Sequence, residues 1–132
     1  MSDILVPLSP GELLDKITIL RIKAARMAGA QLDHVRLELE ALTRAWRDGG
    51  CDGTPLGADE RALQTVNEKL WDIEDRIRRK ESERAFDAEF IELARSVYLC
   101  NDERAAIKKR INLRLGSRLV EEKAYAPYRA EG

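Results

Sequence analysis

The sequence predicts an all-α fold: a four-helix bundle of two antiparallel helical hairpins, with a short N-terminal extended segment and a C-terminal tail. Three observations carry this reading. Apolar residues recur at helical spacing through four stretches, and each stretch has a capping residue, a glycine or both at its ends. The composition, 44% hydrophobic and 36% charged with only 5% aromatic, is that of surface-rich helices. At 132 residues the chain has the size of one domain with a real core, spanning 1–132.

The elements follow in order. Ile4 to Leu8 form an apolar lead-in, either an edge strand ended by Pro7 or an extended cover for the bundle. The first helix, about 10–28, opens with Ser9 as N-cap, Pro10 where no N–H is needed and Glu12 to complete a capping box. Leu13, Leu14, Ile17, Leu20 and Ala24 make one apolar stripe, while Ile19 and Ile22 fall nearly opposite. A helix apolar on two faces is packed on both, so this one is central. The second helix, about 33–48, is capped by Asp33 and carries Leu32, Val35, Leu39, Leu42 and Trp46 on one stripe. Residues 48–57, with four glycines and a proline, read as an irregular loop. The third helix, about 59–83, has a seam of Leu63, Val66, Leu70, Ile73 and Ile77. The fourth, about 87–115, is capped by Asp87, with Phe86 and Ile91 spaced for a hydrophobic staple and Gly116 as its C′ residue. The tail, 117–132, drifts through Tyr125, Pro127 and Tyr128 to a polar end that is expected to fray.

Composition also narrows function. With 23 basic against 24 acidic residues and a net charge of −1, no global field draws the chain onto nucleic acid. No apolar run is long enough to span a membrane, and the start lacks the pattern of a signal peptide. Cys51 and Cys100 have no metal-binding spacing, so a cytoplasmic protein with reduced thiols and no metal or cofactor is expected.

The fourth helix holds the anomaly. Its stripe begins with Phe90, Leu93, Ala94 and Val97, then continues through Cys100, Asn101, Arg104, Lys108, Ile111, Asn112 and Leu115. Two cations thus fall where apolar residues belong, and unpaired burial of either is expensive. On the third helix, Asn67 and Glu74 lie near the apolar seam at depths matching Arg104 and Asn101, with Trp71 beside them; Arg21 adds a cation from the first helix. These residues form either a satisfied polar layer that fixes register or a pocket for an anionic metabolite, with Arg104 and Lys108 clamping, Glu74 orienting, and Trp71 or Tyr98 as a wall. The acidic face Glu68, Asp72 and Asp75, with Glu38 and Glu40 elsewhere, invites comparison with Mg²⁺-holding helical pyrophosphohydrolases. Arg76 and Arg79 follow at ion-pair spacing, however, and the ExxE…ExxD pattern is absent. No catalytic residue stands out.

SPGELLDKITILRIK (9–23), VNEKLWDIEDRIR (66–78), FIELARSVYLCNDERAAIKKRIN (90–112) and GSRLVEEKAY (116–125) together resemble an uncharacterised bacterial family, a domain of unknown function. The resemblance implies a fold but no activity. By architecture and residue type alone, a small bundle with inward Arg, Lys and Glu is also similar to the all-helical chorismate mutases, with no residue carried over.

Two functions are therefore expected. The first is a non-enzymatic interaction or assembly module, a homodimer or the partner of another protein. In it Arg104, Lys108, Glu74 and Asn101 are structural, and Arg104→Met is neutral or stabilising. The second is a binder of, or enzyme for, a small carboxylate or phosphate, held by Arg104, Lys108, Asn101, Asn112, Glu74, Asn67, Trp71, Tyr98 and Arg21.

Overall fold

The computed structural model describes residues 2–128 and is all-helical there. Four α-helices follow in order: α1 (Pro10–Arg26), α2 (Gly29–Asp48), α3 (Gly57–Ser82) and α4 (Ala88–Arg114). α1 lies between α2 on one side and the α3–α4 hairpin on the other, while α2 packs chiefly on α1. This is why α1 is apolar on two faces: Leu14, Ile17, Leu20 and Ile22 are all buried. α2, with one neighbour, buries fully only Val35. The main core joins Leu14 to Leu63, Val66, Ile73, Leu93, Cys100, Ile107 and Ile111, and Trp46 of α2 packs against it.

The helix ends obey local chemistry. The Ser9 hydroxyl accepts the Glu12 N–H at 3.2 Å, and Asp87 accepts the Phe90 N–H at 3.0 Å. Gly116, at φ +65°, closes α4 in a Schellman turn: Ser117 N–H donates to the Asn112 carbonyl and Gly116 N–H to that of Leu113. Arg84 repeats the motif after α3 at φ +51°.

Several expected boundaries move. α1 ends at Arg26, and α2 begins at Gly29, where φ +63° turns the chain. Asp33 is therefore inside α2 rather than its cap. α3 begins at Gly57, two residues early. The 48–57 loop contains one 3₁₀ turn, Cys51–Gly53, despite its glycines. Phe86 stands edge-to-face on Phe90, with ring centroids 5.1 Å apart, and Ile91 stays exposed.

The two terminal segments behave differently. Residues 4–8 form no regular element, neither pairing as a strand nor covering the bundle; Ile4, Leu5 and Val6 are 80, 91 and 68% exposed. The tail returns along α4 as far as Tyr128. Glu121 meets Lys108, Lys123 meets Asp102, and the Tyr128 ring lies 5.3 Å from that of Tyr98. The polar end expected to fray, residues 129–132, lies outside the described residues.

Candidate functional site

The site begins with a glycine. A Cβ on Gly11 would stand 2.5 Å from the Lys108 carbonyl oxygen and 2.9 Å from Asn112 Oδ1. Only a residue without a side chain lets α1 approach α4 this closely. The approach is locked by the Gly11 N–H, which donates to Asn112 Oδ1 at 2.7 Å. Because the helices run antiparallel, the next turns of α1 meet successive turns of α4. Lys108 Nζ donates to Glu12 at 3.0 Å, and one turn further Arg104 reaches Asp15.

Arg104 holds Asp15 through two bonds: Nε to Oδ1 at 2.7 Å and Nη2 to Oδ2 at 2.5 Å. This fork-to-carboxylate geometry is the strongest ion-pair arrangement available to proteins. Asp15 is 1% exposed. Its Oδ1 also accepts from Asn67 Nδ2 at 3.0 Å, and the same amide lies 2.9 Å from the Thr18 hydroxyl oxygen, which itself donates to the Asp15 carbonyl. Every polar group placed here has a partner, as buried polar groups require.

Electrostatics follow from this geometry. Burial pushes the Asp15 carboxyl up, but hydrogen bonds from Arg104 and Asn67 and the charges of Arg104 and Lys108 outweigh it. The carboxyl therefore lies below the usual carboxylate range. For Lys108, burial pulls the ammonium down, and Glu121 and Glu12 more than restore it, leaving it raised. A depressed carboxylate stabilises the fold fully above its unfolded value, about 3.9, and loses that contribution as pH falls through its lower folded value. A raised lysine contributes below its unfolded value and loses it only as pH rises through the folded one. Both pairs are thus in force at neutral pH. Wild type should keep this contribution down to about pH 4 and lose stability to urea below it, and Asp15→Asn should flatten that loss; parallel slopes for the two proteins in that acid range would contradict it.

The sequence candidates divide into three groups. Asn67, Trp71, Glu74 and Arg104 come together, lining with Ile19 and Leu70 an open groove of about 410 Å³ between α1, α3 and α4. Arg104 Nη1 makes only a 3.4 Å contact with Asn101 Oδ1. Lys108 and Asn112 belong to the α1–α4 seam described above. Arg21 and Tyr98 lie elsewhere, Arg21 3.8 Å from Glu60 and Tyr98 on the tail.

Three expectations are corrected. Glu74 does not answer Arg104; it is exposed and takes Arg78 at 3.1 Å. Glu12 does not complete its capping box, because its carboxylate takes Lys108, which is buried between Glu12 and Glu121. Asp72 and Asp75 pair with Arg26 of α1, whose guanidinium also lies 5.5 Å over the Trp71 ring. No acidic cluster fit for a metal occurs among the described residues. The residues that sequence reasoning missed are Asp15, Thr18 and Gly11. Their signal was present: if α1 is packed on two faces, Asp15, three and seven residues before Thr18 and Ile22, must be buried and must have a cationic partner.

With Asp15 as that partner, Arg104→Met alone is no test of a dispensable layer. It would strand a buried carboxylate and should destabilise strongly.

Fold and site thus define a small all-helical bundle knit by a buried Asp–Arg–Asn–Thr layer at a glycine-mediated helix crossing. The chain belongs to the family of unknown function DUF6165, whose sequence model matches residues 4–130, both terminal segments included. No curated protein and no solved structure matches it.

Proposed function

We propose that this chain is a non-enzymatic interaction and assembly module that self-associates, its inward charges serving structure. One observation carries this reading: both inward cations are matched by an acid of α1, Arg104 by Asp15 and Lys108 by Glu12, with Glu121 added at the edge. Charge here is already balanced, so an anionic ligand would find no surplus positive field. Apolar surface, by contrast, is left in water in the Ile4–Leu8 arm, while Ile19, Leu70 and Trp71 stay half-buried along the groove. Two free thiols support a reducing, cytoplasmic setting, and among the described residues no helix is long and apolar enough to cross a membrane.

A second reading, a binder of a small carboxylate or phosphate, draws on the Arg104 edge that faces the groove with Asn67 and Trp71. The acids Glu74 and Asp75 on the same rim work against it. Thermal unfolding separates the two. For an assembly, Tm rises with protein concentration and is unmoved by phosphates and carboxylates. A Tm independent of concentration but raised several degrees by one anion, and no longer raised in Arg104→Ala/Lys108→Ala, would replace the first reading with the second.

A further inference from the structure

The segment after α4 is the longest described stretch outside the helices, and it contributes no residue to the core. Its root is fixed. Ser117 closes the turn at the end of α4, and its hydroxyl accepts the Leu119 N–H at 3.1 Å and donates to the Leu119 carbonyl at 2.8 Å. Beyond that point the chain changes character. Residues 120–128 are all exposed, and among the described residues no backbone–backbone hydrogen bond holds 120–127. The segment nevertheless runs back along α4, meeting Lys108, Asp102 and Tyr98 in turn. We infer that residues 120–128 are a releasable strap, which docks on α4 as one unit and lifts off as salt rises while the four helices stay in place.

Three observations carry it. First, the strap is held by charge at the surface. Glu121 takes Lys108 Nζ at 3.0 Å, and Lys123 pairs with Asp102. Both strap residues are exposed, and exposed ion pairs are individually weak and screened by salt. The one ring contact, Tyr128 at 5.3 Å from Tyr98, joins two exposed side chains. Second, the bundle is charge-complete without the strap. Between α1 and α4, Glu12 and Asp15 match Lys108 and Arg104 one for one, and Glu121 is a third acid on two cations. Its departure strands no buried charge, which is the event that would tie release to unfolding. Asp102 and Lys123 already reach water and keep it as their partner. Third, the order of the contacts couples them. Glu121 is the contact nearest the fixed root at Ser117, so while docked it holds Lys123 and Tyr128 at high effective concentration opposite Asp102 and Tyr98. Losing it lengthens the free segment and weakens the two contacts beyond it. Release bares the Lys108 ammonium, whose side chain is 11% exposed while the strap is docked, together with the Tyr98 ring. Ionic strength thereby sets how open this edge of α4 is.

The test is backbone nitrogen-15 relaxation of the full chain in sodium chloride at about 0.01 M and about 1 M, where the screening length falls from about 30 Å to about 3 Å. At low salt the amides from Glu121 to Tyr128 should be nearly as ordered as the helices, with order parameters close to about 0.85. At high salt they should fall together below about 0.6 while the helical amides keep their values. Glu121→Gln, a change at an exposed position, should reach the released state already at low salt. Glu12→Gln removes the other acid on Lys108 and should leave the strap ordered. A wild-type strap as mobile at low salt as at high salt overturns the inference. So does a strap that stays ordered both in 1 M salt and in Glu121→Gln, which would mean that something other than charge holds it. Loss of helical order in α1 or α4 on Glu121→Gln also overturns it, because the strap would then be part of the bundle.

Discussion

Replacing Asp15 by alanine is expected to destabilise the protein by about 3–5 kcal/mol, a large share of the 5–15 kcal/mol typical of a domain. The Arg104 guanidinium would keep its place beside α1 with no carboxylate to receive two of its N–H groups, and Asn67 would lose an acceptor. Arg104→Met should be as damaging for the converse reason, since the Asp15 carboxylate is 1% exposed and cannot turn to water. The informative variant is the double one, Asp15→Leu/Arg104→Met. With both charges gone, their desolvation penalty goes too, and stability should return to within about 1 kcal/mol of wild type or exceed it. Urea midpoints of the four proteins close this cycle. Singles that are nearly neutral would mean that water reaches the pair. A double variant as unstable as the two singles summed would mean that the layer contributes more than mutual compensation.

Gly11→Ala is expected to produce the second large effect, about 1–3 kcal/mol or more from one added methyl group. Helix propensity alone favours the substitution, because alanine is the better helix former by about 1 kcal/mol. Packing opposes it. The new Cβ would lie 2.5 Å from backbone, the Lys108 carbonyl oxygen, and backbone cannot step aside as a flexible side chain can. α1 and α4 would have to separate, stretching Gly11–Asn112, Lys108–Glu12 and Arg104–Asp15 together. Thermal unfolding checks this: a Tm lowered by several degrees is expected, and a raised Tm would show that the crossing is looser than described.

How far the residues alone could lead depends on which interactions are local. The caps at Ser9 and Asp87, the turn at Gly116, the α3 seam and the two-faced character of α1 all follow from neighbours within a turn or two, and all are present. At the start of α2 a left-handed glycine and the Asp33 cap offer competing local signals, and the turn at Gly29 prevails. At the site, helical spacing marks Arg104 and Asn67 as inward polar groups, and proximity in sequence points to a partner on α3, the neighbour of α4. The partner sits 89 residues away on α1, at a crossing set by a glycine whose importance is visible only once two helices are brought together. The tail illustrates the same limit: no local signal in it points to Lys108, Asp102 and Tyr98, which hold it along α4.

The most direct test of the central claim is sedimentation equilibrium of the unmodified chain over a wide concentration range at neutral pH. An assembly module should sediment with twice the chain's 15.0 kDa and dissociate only on dilution. A single 15.0 kDa species at all concentrations would contradict the account and leave the groove to a small ligand.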